Sequence, residues 1–228
     1  MSGSVIATTA ATFPQTAGLR TRSQLALEVS RFAGGGNDPE RMTLANQHVD
    51  QIVRKMNAFP WKFNRVVNDV PLSGDDDEYT LASDFRSPLR ALLVDSSSKE
   101  RDTVTYVPFE EFVVAFAYKA SASASMPQYY TVRNVHETGK VQIYPPVNTA
   151  SLTWPTLRIY YHRRIVLASS ESAKLNVPQE VEEAILHDAA ALNLMSVEGA
   201  TGRTVAMTSL ARDLYLTVER EYRDYPDY

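Results

Sequence analysis

The sequence predicts an α+β fold: a helical bundle built from both ends of the chain, with a mainly antiparallel β region inserted between them. Three observations carry that prediction. Apolar residues recur at helical spacing over residues 21–59 and again from 178 to 222. Between Trp61 and Val166 they fall instead into short β-branched and aromatic runs separated by turn residues. Charge divides along the chain as well. Residues 1–170 carry 18 Lys and Arg against 16 Asp and Glu, whereas residues 171–228 carry 5 against 11, so the C-terminal helices present an acidic surface of their own. A solvated acidic face explains that surface, and so does complementarity to a basic partner, which steers docking more than it adds affinity. The expected organisation is a flexible N-terminal arm over 1–20, a bundle from 21–60 and 171–221, an inserted β-rich domain over 61–170, and an extended C-terminal tail over 222–228.

The arm is rich in Ser, Thr and Ala, without period. A first helix then follows from Thr21 and Gln24, whose spacing makes a capping box, with Leu25, Val29 and Phe32 on one face and Gly34-Gly35-Gly36 as its stop. The second helix has Asp38 as N-cap, Pro39 at its first position and Glu40 at its positive end. Met42, Ala45, Val49, Ile52, Val53 and Met56 repeat at helical spacing as far as Phe59-Pro60, so the two helices form a hairpin around a glycine turn.

The β region opens with Arg65–Leu72, which ends at the turn Ser73-Gly74-Asp75-Asp76-Asp77 and resumes at Glu78–Leu81, an acidic hairpin tip. Leu89–Asp95 and Asp102–Val107 flank Ser96-Ser97-Ser98-Lys99. Tyr129–Asn134 and Lys140–Tyr144 flank His136-Glu137-Thr138-Gly139, a hairpin with glycine at the turn. Leu157–Val166 is the longest β-like run, and Pro145-Pro146 and Pro155 bar central strand positions where they stand. One segment departs from the pattern: Pro108 followed by Phe109, Phe112, Val113 and Phe116 has helical spacing, with the Ala/Ser-rich 120–125 as a connector.

The last third is helical. Pro178 stands at a helix start, with Glu180, Glu182 and Glu183 in the first turns and Val181, Ala184, Ile185, Ala189, Leu192 and Met195 on an apolar face. Gly199 and Gly202 break it. A final helix runs from about Val205 with Met207, Leu210, Leu214, Val218 and Tyr222 in register.

Composition excludes several functions. With 228 residues, 44% of them hydrophobic, the chain can build one large core or two small ones. It has no cysteine, so no disulfide framework, thiolate metal site or cysteine nucleophile. No apolar run is long enough to span a bilayer, and the first twenty residues lack the charged start and apolar stretch of a signal peptide. His48, His136, His162 and His187 share no metal-ligand spacing. Asp75-Asp76-Asp77-Glu78 lacks the alternating carboxylates and distal glutamate of a calcium loop, and Gly34-Gly35-Gly36 lacks the Lys-Ser/Thr of a P-loop. Gly-x-Ser-x-Gly is absent. The residues nominate no catalytic centre, no metal and no cofactor, and the reading is of a protein that is not an enzyme.

Arg158, Arg163 and Arg164 interleave with Tyr160, Tyr161 and His162 as cations and aromatics do in single-strand binders. Strand alternation divides them, with Arg158, Tyr160, His162 and Arg164 on one face and Tyr161 and Arg163 on the other. Arginines paired with neighbouring carboxylates are the expected outcome. A net charge of -4 favours passive proximity to DNA over dedicated binding.

Three stretches taken together carry a resemblance. The helical hairpin ends in Phe59-Pro60-Trp61-Lys62-Phe63. The middle holds Tyr129-Tyr130-Thr131-Val132-Arg133, Val141-Gln142-Ile143-Tyr144-Pro145-Pro146, then Leu157-Arg158-Ile159-Tyr160-Tyr161-His162-Arg163-Arg164. The C-terminal helix opens Val177-Pro178-Gln179-Glu180-Val181-Glu182-Glu183-Ala184-Ile185-Leu186 and continues through Ala189-Ala190-Ala191-Leu192. In this order, over roughly 22–220, the chain resembles the head-to-tail adaptor (connector) proteins of tailed bacteriophages, and their relatives the tail tubular proteins of short-tailed phages. The inserted β region departs from the small all-helical adaptors and favours the larger version.

The resemblance implies a structural virion protein at the head–tail interface, made in the bacterial host cytoplasm. It implies a ring, typically of twelve copies, that docks under the portal protein, meets tail, nozzle or head-completion proteins below, and lines the channel through which genomic DNA passes without sequence-specific binding. A tail-tube, nozzle-proximal or receptor-binding virion protein is the alternative. Tyr222, Tyr225, Pro226 and Tyr228 are the expected portal-interface residues, because rigid aromatic anchors dominate interfaces. Asp75, Asp76, Asp77 and Glu78 are the expected channel-facing residues, whose charge would repel DNA and let it slide.

Overall fold

The computed structural model describes residues 18–73, 77–116, 125–134, 139–147, 155–166, 170 and 172–223. They form five α-helices and seven strands, in the order α1 (Arg22–Phe32), α2 (Pro39–Met56), β1 (Arg65–Pro71), β2 (Glu78–Thr80), β3 (Phe85–Val94), β4 (Glu100–Tyr106), α3 (Phe109–Phe116), β5 (Tyr129–Arg133), β6 (Lys140–Tyr144), β7 (Thr156–Arg163), α4 (Gln179–Glu198) and α5 (Gly202–Tyr222). The fold is α+β. The chain divides into two compact units, one holding Arg65–Arg163 and the other the segments on either side of it.

In the helical unit the caps act as their sequences predict. Thr21 accepts from the Gln24 amide while the Gln24 side chain accepts from the Thr21 amide, and Asp38 Oδ1 accepts from the amides of Glu40 and Arg41. Gly34 and Gly36 take positive φ in the turn between α1 and α2, which only glycine adopts at low cost. The core gathers Leu25, Val29, Val49, Ile52, Val53 and Met56 against Val181, Ile185 and Ala189. Helix α4 packs against α1, α2 and α5, and this is why it is buried nearly all round over its first turns. Met195, expected on the buried face, is 51% exposed.

Helix α5 differs most from its expected form. It begins at Gly202, three residues before Val205, because Thr201 caps it by accepting from the Thr204 amide. Its buried residues are Thr204, Ala211 and Val218, spaced by seven. Leu210, expected inside, is exposed, and Leu214 and Tyr222 are only partly covered. A single narrow stripe touches α4, so the apolar residues on its flanks face outward. Of the expected arm over 1–20, the last residues are tied to the fold. Residues 1–17 lie outside the described part, but the Gly18 amide donates to the Leu175 carbonyl at 3.1 Å and the Arg22 amide to Ala173 at 2.9 Å.

The strand unit is one curled sheet in the order β1-β7-β3-β4-β5-β6-β2, antiparallel at every pairing except β4 with β5. The parallel step arises because α3 carries the chain across between those strands, a crossover that no hairpin turn can make. The expected hairpin around residues 73–77 does not form. β1 pairs with β7 and β2 with β6, which sets them on opposite edges of the sheet, so the two are not partners. By contrast β3 and β4 are a true hairpin. Asp95 fixes its turn, Oδ1 accepting from the Ser97 and Lys99 amides at 2.9 and 3.0 Å and Oδ2 from Arg101 at 2.9 Å. The Ser97 hydroxyl, which donates to Oδ1 at 2.6 Å, and then these bonds hold its carboxyl well below the usual range.

Strand β3 starts earlier than its apolar run and passes through Pro88, opposite Tyr161. The proline is tolerated because β4 pairs only with Ala91, Leu92 and Val94, leaving the other edge unbonded at Pro88, and because the register shifts between Pro88 and Arg90. Inside the curl, Val66, Val70, Phe85, Leu93, Tyr130, Val141, Ile143, Leu157, Ile159 and Tyr161 form a second core, separate from the helical one.

Two of these core phenols give a testable pH response. Burial raises the pKa of Tyr130, and burial together with the Asp84 carboxylate, which accepts from the Tyr161 hydroxyl at 2.8 Å, raises that of Tyr161. A raised folded pKa means that the stability is fully present below the unfolded value of about 10 and is lost as pH climbs through the folded value. Ultraviolet titration should therefore show some tyrosines resisting ionisation above pH 10 and then ionising together with unfolding. A smooth titration of all tyrosines near pH 10 without unfolding would contradict this.

Candidate docking surfaces

The cationic–aromatic run of β7 is balanced within the sheet. Arg158 makes a two-pronged bond to Asp69, Nε to Oδ1 at 2.7 Å and Nη2 to Oδ2 at 2.8 Å, and its Nη1 reaches Glu100 at 3.2 Å. The Tyr160 hydroxyl also donates to Glu100, and the Arg90 guanidinium lies 4.2 Å above the Tyr160 ring. These bonds hold the Glu100 carboxyl below its ordinary pKa, the Tyr160 hydroxyl first among them and Arg158 next. His162, expected beside Arg158 and Tyr160, is buried, its Nδ1 3.4 Å from Ser87 Oγ, and Arg163 is buried as well. The outer face of β7 is thus a self-neutralised plate, not a phosphate-gripping groove.

Of the expected channel-facing residues, Asp75 and Asp76 lie outside the described residues. Asp77 leads into β2, its backbone carbonyl accepting from the Ile143 amide at 2.8 Å and its Oδ2 from Gln142 Nε2 at 3.0 Å. Glu78 is ion-paired with Arg133 and lies 3.9 Å from Lys140. The two therefore differ: Glu78 meets cations of β5 and β6, whereas the Asp77 carboxylate meets the neutral amide of Gln142.

Of the expected portal-interface residues, Tyr225, Pro226 and Tyr228 lie outside the described residues. Tyr222 does not begin an extended tail. It closes α5, its ring edge-on to Phe63 at 5.8 Å and its hydroxyl 3.4 Å from Glu180 Oε2. Burial, then the carboxylates of Glu180 and Glu221, raise its pKa. It belongs to an aromatic cluster with Trp61 at the centre. Trp61 is fully buried, stacks on Phe63 at 6.0 Å, and meets Phe59 and Tyr215 edge-on at 6.3 and 6.4 Å. Its Nε1 donates to the Met56 carbonyl at 2.6 Å, satisfying a free group at the end of α2. The sequence gives the aromatic residues but not their meeting, which needs α5 to return to the end of α2. The isolated bridge between Trp61 and Arg223, with the Arg223 guanidinium 4.5 Å over Phe59, completes that return.

Sequence reading also missed an anchor at the start of α4. Glu182 is fully buried, although its place in the sequence makes it one of three acidic residues suited to a helix N-terminus. Its carboxylate accepts from the Arg20 amide at 3.2 Å and from Arg20 Nη1 at 3.0 Å, and Arg20 also reaches Glu183 at 2.7 Å and Glu28 at 2.9 Å. Burial opposes the charge on Arg20, but these three carboxylates outweigh it and raise its pKa. A Cβ at Gly18 would lie 2.0 Å from Glu182 Oε2, so any side chain there has to displace the anchoring carboxylate.

Among the described residues no group of His, Asp and Glu is placed to hold a metal, and no helix is long and apolar enough to cross a membrane. The described surface instead presents uncovered apolar helix flanks and a self-compensated sheet face. The chain belongs to the SU10 adaptor protein family, whose model matches residues 20–226. It is a structural adaptor of a bacteriophage, of the head–tail class, and such adaptors are parts of the virion. Among curated proteins none matches the chain.

Proposed function

We propose that this chain forms a ring that docks under the portal, joins the head to tail or nozzle components, and lines the channel that genomic DNA traverses. The observation that carries the reading is the family match over nearly the whole chain, residues 20–226. The fold suits the role physically. A ring of identical subunits needs two different side faces, and a strand unit inserted in a helical unit supplies dissimilar surfaces. On this reading α1, α2, α4 and α5 act as one bundle, and the relation to tail tubular proteins of short-tailed phages is one of shared architecture. Tyr222, Tyr225, Pro226 and Tyr228 meet the portal, with Tyr222 fixing the direction in which the tail leaves α5. Asp75, Asp76, Asp77 and Glu78 face the channel. Because Glu78 is already paired, the charge that repels DNA there rests on the three aspartates.

Electron microscopy of the protein mixed with the portal ring of its own phage tests this. Added ring density beneath the portal, with a symmetry that gives the copy number, is the expected result. A bare portal at micromolar protein would overturn the reading in favour of a tail-tube or receptor-binding role. Deleting residues 224–228 leaves Val218 and Tyr222 in place, so thermal unfolding should not change while portal binding is lost. Undiminished portal density with that variant would remove the tail from the interface.

A further inference from the structure

We propose that neighbouring copies of this chain join by seating α3 of one copy in the groove between α4 and α5 of the next, an inference that rests on the ring reading above. The groove has a volume of about 330 Å³ and is lined by Met195, Ala200, Val205, Thr208 and Ser209, with Arg212 at its rim. Its apolar walls are uncovered: Met195 is 51% and Val205 66% exposed. Alanine and serine leave room in it, and valine and methionine supply contact area.

Helix α3 has the matching form. It rests on the sheet through Phe112 and Phe116, the latter stacked on Tyr144 at 4.3 Å. Helical geometry puts Val114 on the opposite side, where it is 81% exposed, while Val113 and Phe109, also exposed, lie towards the side that meets the sheet. Glu110 and Glu111 flank that ridge and are exposed. Neither makes an ion pair, and nor does Arg212, among the described residues.

Charge selects this pairing over the others. A contact of groove with groove would bring Arg212 against Arg212, and one of α3 with α3 would bring Glu110 and Glu111 against themselves; both are repulsive. Only α3 against the groove sets glutamates beside an arginine. That contact joins two different surfaces, the heterologous kind that closes into a ring.

The chain has no native cysteine, so the contact can be probed directly in the full-length protein assembled on the portal. Under oxidation the double variant Val114→Cys/Ser209→Cys should run as a covalent ladder of subunits on a denaturing gel, while each single variant stays monomeric. Glu110→Arg should weaken assembly about tenfold or more, and adding Arg212→Glu should restore it. Ring density under the portal without a ladder overturns this contact and leaves the ring reading standing. Covalent dimers from either single variant also overturn it, because they report a symmetric contact. A portal left bare by the wild-type chain overturns both.

Discussion

Trp61→Ala should destabilise the helical unit by about 3–5 kcal/mol, the usual cost of removing a buried large aromatic. Trp61 fills the centre of the cluster of Phe59, Phe63 and Tyr215, and its Nε1 caps the end of α2 through the Met56 carbonyl. Truncation leaves a cavity and an unsatisfied carbonyl together. Trp61→Phe keeps an aromatic ring but not the donor, so it should lose less, by roughly 1–3 kcal/mol. Urea unfolding followed by far-ultraviolet circular dichroism measures both, and helical signal should be lost first because the strand unit has a core of its own. A Trp61→Ala protein within about 1 kcal/mol of wild type would show that the cluster is not a keystone of the unit.

Arg20→Ala should cost about 3–5 kcal/mol, although Arg20 lies at the edge of the fold. The cost arises at Glu182, left without the only side chain that the structure gives it as a partner among the described residues and with a fully buried carboxylate. The size of the loss therefore reports the stranded charge more than the bond itself. Arg20→Met combined with Glu182→Leu should recover much of the loss, because replacing both members of a buried pair by apolar groups removes the stranded charge. Thermal unfolding of the two variants decides it. If the double variant is as unstable as Arg20→Ala, then packing of residues 18–22 and not charge is what Arg20 supplies.

What was legible in the sequence was local. Thr21 with Gln24, Asp38 with Pro39, and the Phe109–Phe116 spacing each place an element because the signal and the structure lie within one or two helical turns. The family was legible because it is written in the order of such segments. Strand order was not. Nothing in Arg65–Leu72 or Glu78–Leu81 says that they will form opposite edges of the sheet, each paired with a segment 60 to 97 residues later. Nor could Glu182 be told from Glu180 and Glu183, since its burial depends on Arg20 folding back across the chain. Helix α5 shows the same limit from the other side: its outward Leu210 reads as core because interface and interior use the same apolar residues. The candidate residues fared unevenly for a related reason. Tyr222 was identified as an aromatic anchor, but its first partners are Phe63 and Glu180 of its own chain.

The pairing of β1 with β7 has a consequence for the order of folding. The register sets Arg65 opposite His162, so the chain leaves the helical unit and returns to it at adjacent points. Before the sheet forms, bringing α2 to α4 means closing a disordered loop of about a hundred residues, at an entropic cost of about 4 kcal/mol. Once the sheet has formed, its two ends already lie side by side and that cost is gone. The strand unit thus acts as a clasp: pairing β1 with β7 bears the closure cost that docking α2 to α4 would otherwise bear, so a substitution that weakens this pairing should weaken or delay the helical core even though it touches none of that core's residues.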